Sequence, residues 1–492
     1  MRPWQTLRRL FGGRPGRIGG LLAVIVSLEG TAAAAQQLTL DEAIRTGIAN
    51  SLVIRQQDTQ VSGAEARLKE AGGAFDWSVG AETGVQTLYV PGTRGGFLTD
   101  QTQTIYSPYY SANIGRVFRN GIEVRPGVTA YPGSGTTAGQ TLGLTQLRPS
   151  LGLSIPILRG LGEESADANE RSAAESAIAA RFDRNFVTER VVHDVVQTFW
   201  RCIASDQHVQ IADQSDQQAT VYVTMLQLLA ERGLIEPTLV QRVVAMNVGR
   251  HLAIDQARDA AQACHRDLGL VMGNLAGAPA PSPVGELPGI DAFGPAIDRL
   301  NQASLVDLAF EQRTDLRAIQ RNIAAAGAAS VGAEDAKRPV LSLLLDPQRT
   351  IVTYRQSLQN NAAEGHAAAA AATENGARLS LLQLQDRIRV EIAAALGNLR
   401  QSNSSWLAVK KSEQQMENVV ADTERRAEAG LVDRSEVLAV RDQLTQLRNQ
   451  LIDLRLQFAA SLAALRLATG TVGPVDQAPA IITERFFSPP AR

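Results

Sequence analysis

Apolar residues recur at every second position between about residue 77 and residue 157. The residues that keep this period include Ile122, Val124, Val128, Ala130, Leu142, Leu144, Leu151, Leu153 and Ile155. Gly-rich turn sequences divide the segment and predict strands near 77–90, 104–118, 121–131 and 139–157. Alternation of this kind is typical of β-barrel strands that have lipid on one side and a polar interior on the other. A patch of a soluble β-sandwich has the same pattern, so both interpretations stay open here.

A different period, of three and four residues, follows later in the chain. The residues that keep it are Val437, Val440, Leu444, Leu447, Leu451, Leu454 and Phe458. This spacing predicts one apolar seam along a helix that packs against another helix. An earlier segment, from about residue 162 to residue 232, contains no proline and is long enough for a helical path of about 100 Å. An ordinary amphipathic helix on a globular core is the alternative interpretation.

Two short segments, far apart in the chain, are nearly identical. They read AERGLIEPTLV from Ala230 and AEAGLVDRSEV from Ala427. Gly233 and Gly430 suit the left-handed position that ends a helix. Helix-start signals follow directly: Pro237 in the first copy, and Asp433 with Glu436 at capping-box spacing in the second. Each copy is therefore predicted to be the tight bend of a helical hairpin. The apolar residues at the two bends, expected to be exposed, are Leu234, Ile235, Leu431 and Val432.

A second repeat has a larger, constant offset. It aligns the segment from Ala43 with that from Leu305, and the segment from Ala71 with that from Ala333. Each half is therefore predicted to contain, in order, a helix, a strand region and a long helical hairpin. The first half is predicted to follow a signal peptide over 1–35 and to contain a helix over 36–76, strands and loops over 77–161, and a hairpin over 162–278 with its bend near 233. After a Pro/Gly-rich linker over 279–300, the second half is predicted to contain a helix over 301–338, a shortened strand region over 339–376, and a hairpin over 377–470 with its bend near 430. A tail over 471–492 follows.

Composition supports long helices, because 44% of the 492 residues are apolar but only 5% are aromatic. The first 35 residues contain five arginines, an apolar core and three alanines before Gln36, which predicts an export signal. Without the five arginines and Glu29 of this segment, 43 basic and 49 acidic residues remain, a net charge of about −6. We therefore expect no nucleic-acid partner. The rest of the chain has no apolar run long enough for a membrane helix.

The candidate chemistry of the chain is sparse. The five histidines, His193, His208, His251, His265 and His366, have no metal-binding spacing, and no nucleophile or phosphate-loop motif is present. The sequence therefore predicts no enzyme activity, no cofactor and no metal site.

Cys202 and Cys264 lie equally far along the chain from Gly233, one before the bend and one after it. Antiparallel helices from that bend bring both cysteines to one height, where they form either a disulfide or two separately buried thiols.

Several segments, in this order, are similar to those of the outer-membrane efflux proteins of the TolC type. They are LTLDEAIRTGIANS, LSIPILRGLG, the two AxxGL bends, and the segment EVLAVRDQLTQLRNQLIDLRLQFAASLAALRLATG. The resemblance implies a mainly helical protein with a membrane β-barrel portion, in which duplicated antiparallel hairpins form a trimeric α-barrel and three chains share a 12-stranded β-barrel. It also implies a location in the outer membrane, contact with its lipid and extension into the periplasm.

The implied function is that of a passive duct in a tripartite efflux or type I secretion system. The partners implied are two further copies of the chain, a periplasmic adaptor (membrane fusion) protein and an inner-membrane pump. Gly233, Leu234, Gly430 and Leu431 match the adaptor-contacting bends of the family. Glu436 matches an acidic position of the periplasmic pore constriction, although a plain helix-capping role is the alternative. The next helical turn can also be acidic in the family, but here it carries Ala439.

The chain departs from the family pattern in its second half, where only VLSLLL and TIVTY look extended. Either four strands come from the first half alone, or each half gives two membrane strands and the remaining first-half residues form external loops. A secreted or periplasmic coiled-coil scaffold or adhesin with a soluble β head is the alternative function. That protein would dissolve without detergent.

Overall fold

The computed structural model describes residues 37–94, 97–132, 136–137, 140–141, 146–274, 279–347, 349–473 and 479–490. The predicted signal peptide over 1–35 lies outside these residues, as do Leu142 and Leu144. Among the described residues, no helix combines the length and the hydrophobicity needed to cross a bilayer.

Most of the described chain is helical. The helices are α1 Leu40–Asn50, α2 Leu52–Gly72, α3 Glu163–Ala166, α4 Ala168–Glu231, α5 Pro237–Val271, α6 Ile290–Ile297, α7 Gln302–Gln312, α8 Thr314–Asp335, α9 Asn361–Glu428, α10 Arg434–Ala468 and α11 Pro479–Phe486. The strands are β1 Ser78–Arg94, β2 Phe97–Val117, β3 Glu123–Tyr131, β4 Thr136–Thr137, β5 Gln140–Thr141, β6 Gln146–Pro156, β7 Val340–Asp346 and β8 Arg349–Arg355.

Both predicted repeats are visible in the element boundaries. The helices α1 and α7 begin at Leu40 and Gln302, which is the offset of the second repeat, and α2 and α8 keep the same offset. The helices α5 and α10 have 35 residues each, and their starts, Pro237 and Arg434, are as far apart as the two bend segments. Fewer residues separate the two bends than separate the starts of α1 and α7. The residues that account for this difference lie mainly in the strand regions. The first half has residues 73–167 between α2 and α4, whereas the second half has only residues 336–360 between α8 and α9.

The long helices α4 and α9 have 64 and 68 residues, which corresponds to about 96 Å and 102 Å. Each forms an antiparallel pair with the 35-residue helix that follows it, α5 or α10, and α4 also packs against α10. Toward the sheet the neighbours change, and α2 lies against α4, α4 against α8, and α8 against α9. The molecule is therefore a layer of four helical columns with α4 and α9 running through its full length.

The shorter columns are stacked end to end. Gly470 follows the end of α10, its backbone φ is +67°, and its added Cβ would lie 2.9 Å from the amide nitrogen of Arg313, directly before α8. The equivalent Gly273 after α5 has a φ of +81° and lies similarly close to Asn50, just before α2. Only glycine fits both the left-handed conformation and the close approach. The two junctions place α5 in line with α2 and α10 in line with α8.

The helix α9 begins at Asn361, well before the predicted start at residue 377. The segment before residue 377 contains Asn and Gly, which favoured a loop in the sequence interpretation. It also contains an alanine run over 367–372. Alanine has the highest helix propensity of all residues, and the run extends α9 up to Asn361. The predicted first-half helix over 36–76 is also corrected, since it is broken at Ser51, whose side chain caps α2.

Two apolar clusters hold the short elements on the helical layer. The first joins α1, α4, α5, α10 and α11, and at its centre Trp200 packs edge-on against Phe486 and Phe487. The second joins α6, α7, α9 and α10, and contains Phe458 at the end of the predicted heptad seam. The C-terminal tail over 471–492, for which no element was predicted, therefore contains α11 and closes the first cluster.

The structure joins Cys202 on α4 and Cys264 on α5 by a disulfide, with their Cα atoms 5.4 Å apart. Both cysteines are buried in the first apolar cluster. The bridge closes a loop of 62 residues around the Gly233 bend and fixes the register of α4 against α5. Of the two alternatives left open by the sequence, the structure has the disulfide.

Six strands form one antiparallel sheet in the order β1-β2-β3-β6-β7-β8. The four first-half strands of this sheet overlap the predicted ranges, although residues 142–145 of the fourth range lie outside the described residues, and VLSLLL and TIVTY form β7 and β8. The strand order by itself does not decide between the two expected divisions of the membrane strands, four from the first half or two from each half. The sheet has four strands from the first half and two from the second. A trimer that shared a 12-stranded barrel would use only four strands of each chain, two fewer than this sheet has.

A buried polar cluster lies where α10 ends and α8 begins. The Arg313 guanidinium donates two hydrogen bonds to the Asp315 carboxylate, at 2.7 and 3.0 Å, and one to Glu391 Oε2 at 2.7 Å. It also donates to the backbone oxygen of Ala468, the last residue of α10, and stacks on the Phe186 ring. One arginine thus ties α8, α9, α10 and α4 together. Because this charge is buried, it requires those partners.

Glu189 on α4 lies beside this cluster. Burial raises the pKa of its carboxyl to about 8, and the nearby Asp315 carboxylate adds to the effect, while Arg313 and Thr314 oppose it. The folded protein therefore keeps this carboxyl neutral over a range in which the unfolded chain has already lost the proton. Through this group, folding stability is highest below pH 4.5 and is lost as the pH rises through about 8.

The substitution Glu189→Gln is expected to remove this loss, because the amide stays neutral at every pH. Near pH 4.5, thermal unfolding by far-UV circular dichroism should give the same midpoint for the variant and the parent protein. Near pH 9 the variant should be more stable by a few kcal/mol. Glu70→Gln, at an exposed position of α2, is the matched control. Parallel pH profiles for parent and Glu189→Gln would contradict the assignment.

Candidate functional site

Two hairpin bends form the end of the molecule farthest from the sheet. Gly233 has a φ of +70° and Gly430 a φ of +71°. In the first bend the N–H of Leu234 donates to the backbone oxygen of Leu229 at 2.9 Å, and in the second the N–H of Leu431 donates to that of Arg426 at 2.8 Å. These are two copies of one Schellman motif, as the left-handed glycines predict. The repeated eleven residues therefore specify identical backbone bends.

The bends expose one leucine each. Leu234 is 67% exposed and Leu431 is 72% exposed, although both are large apolar residues. Ile235 and Val432, which we expected to be exposed too, are only half-buried positions. Ile235 packs onto a small apolar cluster that joins α4, α5 and α10 near the bends. The two exposed leucines beside this cluster are suited to contact with another protein.

Glu436 lies in the first turn of α10 and is exposed. The predicted capping pair is only half present, because Asp433 Oδ1 accepts a hydrogen bond from the N–H of Ser435 at 2.9 Å. The N–H of Glu436 donates to the backbone oxygen of Asp433. Asp433 thus caps the helix by itself.

The sheet has two chemically different faces. Since directly paired residues of antiparallel strands share a face, the register assigns each side chain. One face carries Val79, Val85, Tyr106, Tyr110, Ile114, Val124, Val128, Leu147, Leu151, Leu153, Leu343, Leu345, Val352 and Tyr354. The other face carries Glu82, Gln86, Tyr109, Ser111, Asn113, Glu123, Arg125, Thr129, Tyr131, Arg148, Ser150, Asp346 and Arg349, with Val117, Val340, Leu344 and Ile351 among its apolar exceptions. Arg116 is a charged exception on the apolar face.

The apolar face is open to the surroundings of the single chain. Val79 is 78% exposed, Leu147 is 68% exposed and Val352 is 64% exposed, and these residues belong to three different hairpins. An exposed apolar face that crosses six strands is far larger than the scattered apolar residues of a soluble surface. Contact with lipid would satisfy it.

Aromatic residues lie at the helix-proximal end of the sheet and again farther up β2, where Tyr110 and Tyr106 share the apolar face. Trp77, Phe118 and Tyr354 lie at the end of the sheet next to the helices, and Tyr106 pairs with Thr87 nine residues up β1 from Ser78. Nine residues span about 30 Å along a strand, or roughly 23 Å along the normal at a tilt of about 40°. This height is close to the apolar band of about 25 Å that membrane barrels carry between two aromatic girdles.

The polar face contains a cleft of about 440 Å³. Three arginines and two acidic residues line it together with Tyr131: Arg125, Arg148, Arg349, Glu123 and Asp346. The Arg148 guanidinium lies over the Tyr131 ring, 5.1 Å from its centre. The charged side chains on this face need contact with water, whereas the opposite face is apolar. The two faces of the sheet therefore favour different environments.

The base of the sheet is fixed to the helices by charged contacts. Arg119, in the turn between β2 and β3, forms a two-bond ion pair with Glu170 of α4 at 2.6 Å. The N–H of Gly160, after β6, donates to Asp335 Oδ2 at the end of α8. Arg116 donates to the backbone oxygen of Phe75 and lies over the Trp77 ring. These contacts hold the sheet in line with the helical layer.

The two outer columns of the helical layer carry exposed apolar residues. Along α9 these are Leu379, Leu382, Val390, Leu407 and Val419. Along α5, in the column at the other edge, these are Val244, Met246, Val248, Leu252 and Leu270. On α9 these residues lie between Leu379 and Val419, and on α5 between Val244 and Leu270. Both edges of the layer are therefore suited to pack against further helices.

The comparisons with known proteins find similarity in structure only. No family model and no curated protein matches the sequence. The CmeC outer membrane channel of Campylobacter jejuni has a TM-score of 0.64 at 13% identity, over 91% of this chain and 89% of that one. The outer membrane protein VceC of Vibrio cholerae has a TM-score of 0.63 at 13% identity, over 88% of this chain and 96% of that one.

The open-state MtrE outer membrane channel of Neisseria gonorrhoeae has a TM-score of 0.60 at 11% identity, over 88% of each chain. Coverage of this extent means that the similarity concerns most of the chain and not one of its parts. The chain has the fold of the TolC-type outer-membrane efflux channels.

Proposed function

We propose that this protein is the outer-membrane channel of an export system, in which three copies form one hollow duct. The observation that carries the proposal is the combination within one chain of a sheet with one exposed apolar face and a layer of helices about 100 Å long with two unpartnered apolar edges. The sheet lies in the outer membrane, and the helices extend through the periplasm. The similarity in fold to solved outer-membrane channels supports this proposal.

The assembly follows from the two edges of the helical layer. One edge is formed by α9 and the other by α2 and α5, so the two edges are different surfaces. Contacts between different surfaces are heterologous and close into a ring when the rotation between copies is a simple fraction of a turn. Three copies of a four-column layer give twelve columns, and the apolar residues of both edges then become buried.

Such a duct exports its cargo without chemistry of its own. The exposed Leu234 and Leu431 at the hairpin bends are the contacts for a periplasmic adaptor protein, which links the duct to an inner-membrane pump. The pump supplies the energy and selects the cargo, as in a tripartite efflux or type I secretion system. The apolar cluster behind the bends supports this role, because a docking surface binds more tightly when it is preorganised.

The alternative function is a secreted coiled-coil scaffold or adhesin with a soluble β head. It accounts for the paired helices but not for the sheet, whose exposed face carries Val79, Leu147 and Val352. In a soluble head these residues would be covered by a second sheet or by helices. The described elements contain no cover for this face.

Cell fractionation tests the proposed function directly. The protein is expected in the outer-membrane fraction, extractable only with detergent, and on gels it should migrate as a trimer when unheated and as a monomer after boiling. A barrel shared by three chains produces this behaviour because strand pairing between chains survives detergent but not heat. A monomer that stays in solution without detergent would favour the scaffold instead.

The bend leucines give a second test. Leu234→Asp and Leu431→Asp are expected to weaken adaptor binding by about ten-fold or more, because each places a charge in an apolar contact. In a deletion strain these variants should restore tolerance to exported compounds less well than the parent protein, while the trimer forms normally. Leu358→Asp, at a fully exposed leucine before α9, is the control. Full tolerance with both bend variants together would rule out the bends as the docking site.

We further propose that the three Glu436 carboxylates face one another at the periplasmic entrance of the duct. The cap formed by Asp433 alone supports this role, since it leaves the Glu436 carboxylate outside the capping bond. A ring of three carboxylates attracts cations and repels anions, and Ala439 one turn further leaves it as a single ring at this site.

Planar-bilayer recordings check this role. Glu436→Gln is expected to lower the preference for potassium over chloride by about two-fold or more, because the charge of the ring is lost. Glu428→Gln, at an exposed position at the end of α9, should leave the reversal potential in a salt gradient unchanged. Equal reversal potentials for the parent protein and Glu436→Gln would leave only a structural role for this residue.

A further inference from the structure

The number of strands that each copy contributes determines how many strands the proposed barrel has. The six-stranded sheet is continuous, because β2 pairs with β3 over Tyr110–Val117 and β6 pairs with β7 over Leu153–Pro156. No hairpin among the described strands of this sheet stands apart from the others. The question is therefore whether all six strands enter the membrane, or whether one hairpin lies outside it.

The two-faced pattern extends over all three hairpins. The β1–β2 hairpin places Val79, Val85 and Ile114 on the apolar face, and the β7–β8 hairpin places Leu343 and Val352 on that same face. An external loop in water has no reason to keep an apolar face in phase with its membrane neighbours. All three hairpins thus have the pattern of strands that separate lipid from water.

The two sheet edges, β1 and β8, have unpaired backbone groups on one side. Open edges are not tolerated in hydrocarbon, because each unpaired N–H or C=O group costs several kcal/mol there. Resting on the proposed function, we propose that β8 of each copy pairs with β1 of the next, so that three copies close an 18-stranded barrel rather than one of twelve strands. The partner of each edge is then a second copy of this chain.

The widths of the two layers support this number. Four helical columns at a spacing of about 10 Å occupy about 40 Å of circumference per copy. Six strands, spaced about 4.8 Å apart and tilted by about 40°, occupy about 38 Å. Four strands would occupy only about 25 Å under the same geometry. Six strands therefore come closer than four to the width of the helical layer below them.

A barrel of this size leaves a wide aqueous lumen, as 16- to 18-stranded porins do. Its wall would present the polar face with Arg125, Arg148 and Arg349 from each copy. A lumen of this width suits bulky solutes, because the membrane section adds no constriction narrower than the helical section.

Tryptophan scanning in the intact trimer tests the strand count. The background variant Trp77→Phe keeps only Trp200 and Trp406 in the mature chain, and both are buried in the helical clusters. Val85→Trp on β1 and Val352→Trp on β8 then place one indole on the apolar face of each outer hairpin. In vesicles of phosphatidylcholine with brominated acyl chains, both are expected to lose most of their added fluorescence relative to vesicles without bromine.

Matched controls lie one residue away on the polar face, at Gln86→Trp and Thr353→Trp, and these should keep their fluorescence. Quenching at only one of the two hairpins would overturn the proposal that each copy contributes six membrane strands, and would leave four per copy. Quenching at neither, in a protein that also fails to form a trimer, would count against the proposed function itself. A cryo-electron microscopy map of the detergent-purified trimer provides an independent count, and four strands per third of the barrel would contradict the proposal.

Discussion

The structure depends on the seam between long antiparallel helices. A helix of 64 or 68 residues cannot be stabilised by propensity alone, so it needs a partner along its whole length. The partner must run back from the same end, which requires a sharp reversal with no strain. Gly233 and Gly430 supply it, since a left-handed residue closes the first helix and the next begins within a few residues. The positions of the bends, of the disulfide and of the end-to-end junctions follow from this pairing.

The same pairing explains why the two halves diverge where they do. The distance from each bend to the end of the shorter helix is fixed in both halves, because the bends must lie at one height and the junctions at Gly273 and Gly470 must meet α2 and α8. Any inserted residue there would shift the register of every contact along the seam. A sheet has no such limit, since a hairpin can be added at its edge without moving the others. The difference in length between the halves accordingly lies in the strands.

Much of this architecture could be predicted from the sequence, because its signals are periodic and long. The strand positions, the bends and the heptad seam all come from patterns repeated over many residues. The prediction was wrong where two local signals competed, as before residue 377, where Asn and Gly suggested a loop but the alanine run formed the start of α9. The six-stranded order and the buried Arg313 cluster could not be predicted, because strand order and buried partners depend on contacts far apart in the chain. The repeat gives no signal of this cluster either, because Arg313 aligns with Ser51, which makes only a helix cap.

One copy alone leaves three surfaces unsatisfied, and they cannot be explained separately. The sheet face needs lipid, the sheet edges need strands, and the helix edges need apolar partners. A lipid environment covers the face but worsens the cost of the open edges, since water no longer bonds their backbone groups. In the proposed duct, closure by further copies satisfies both the strand edges and the helix edges. For such an assembly, insertion into the membrane and association of the copies are one coupled step, because neither event alone satisfies all three surfaces.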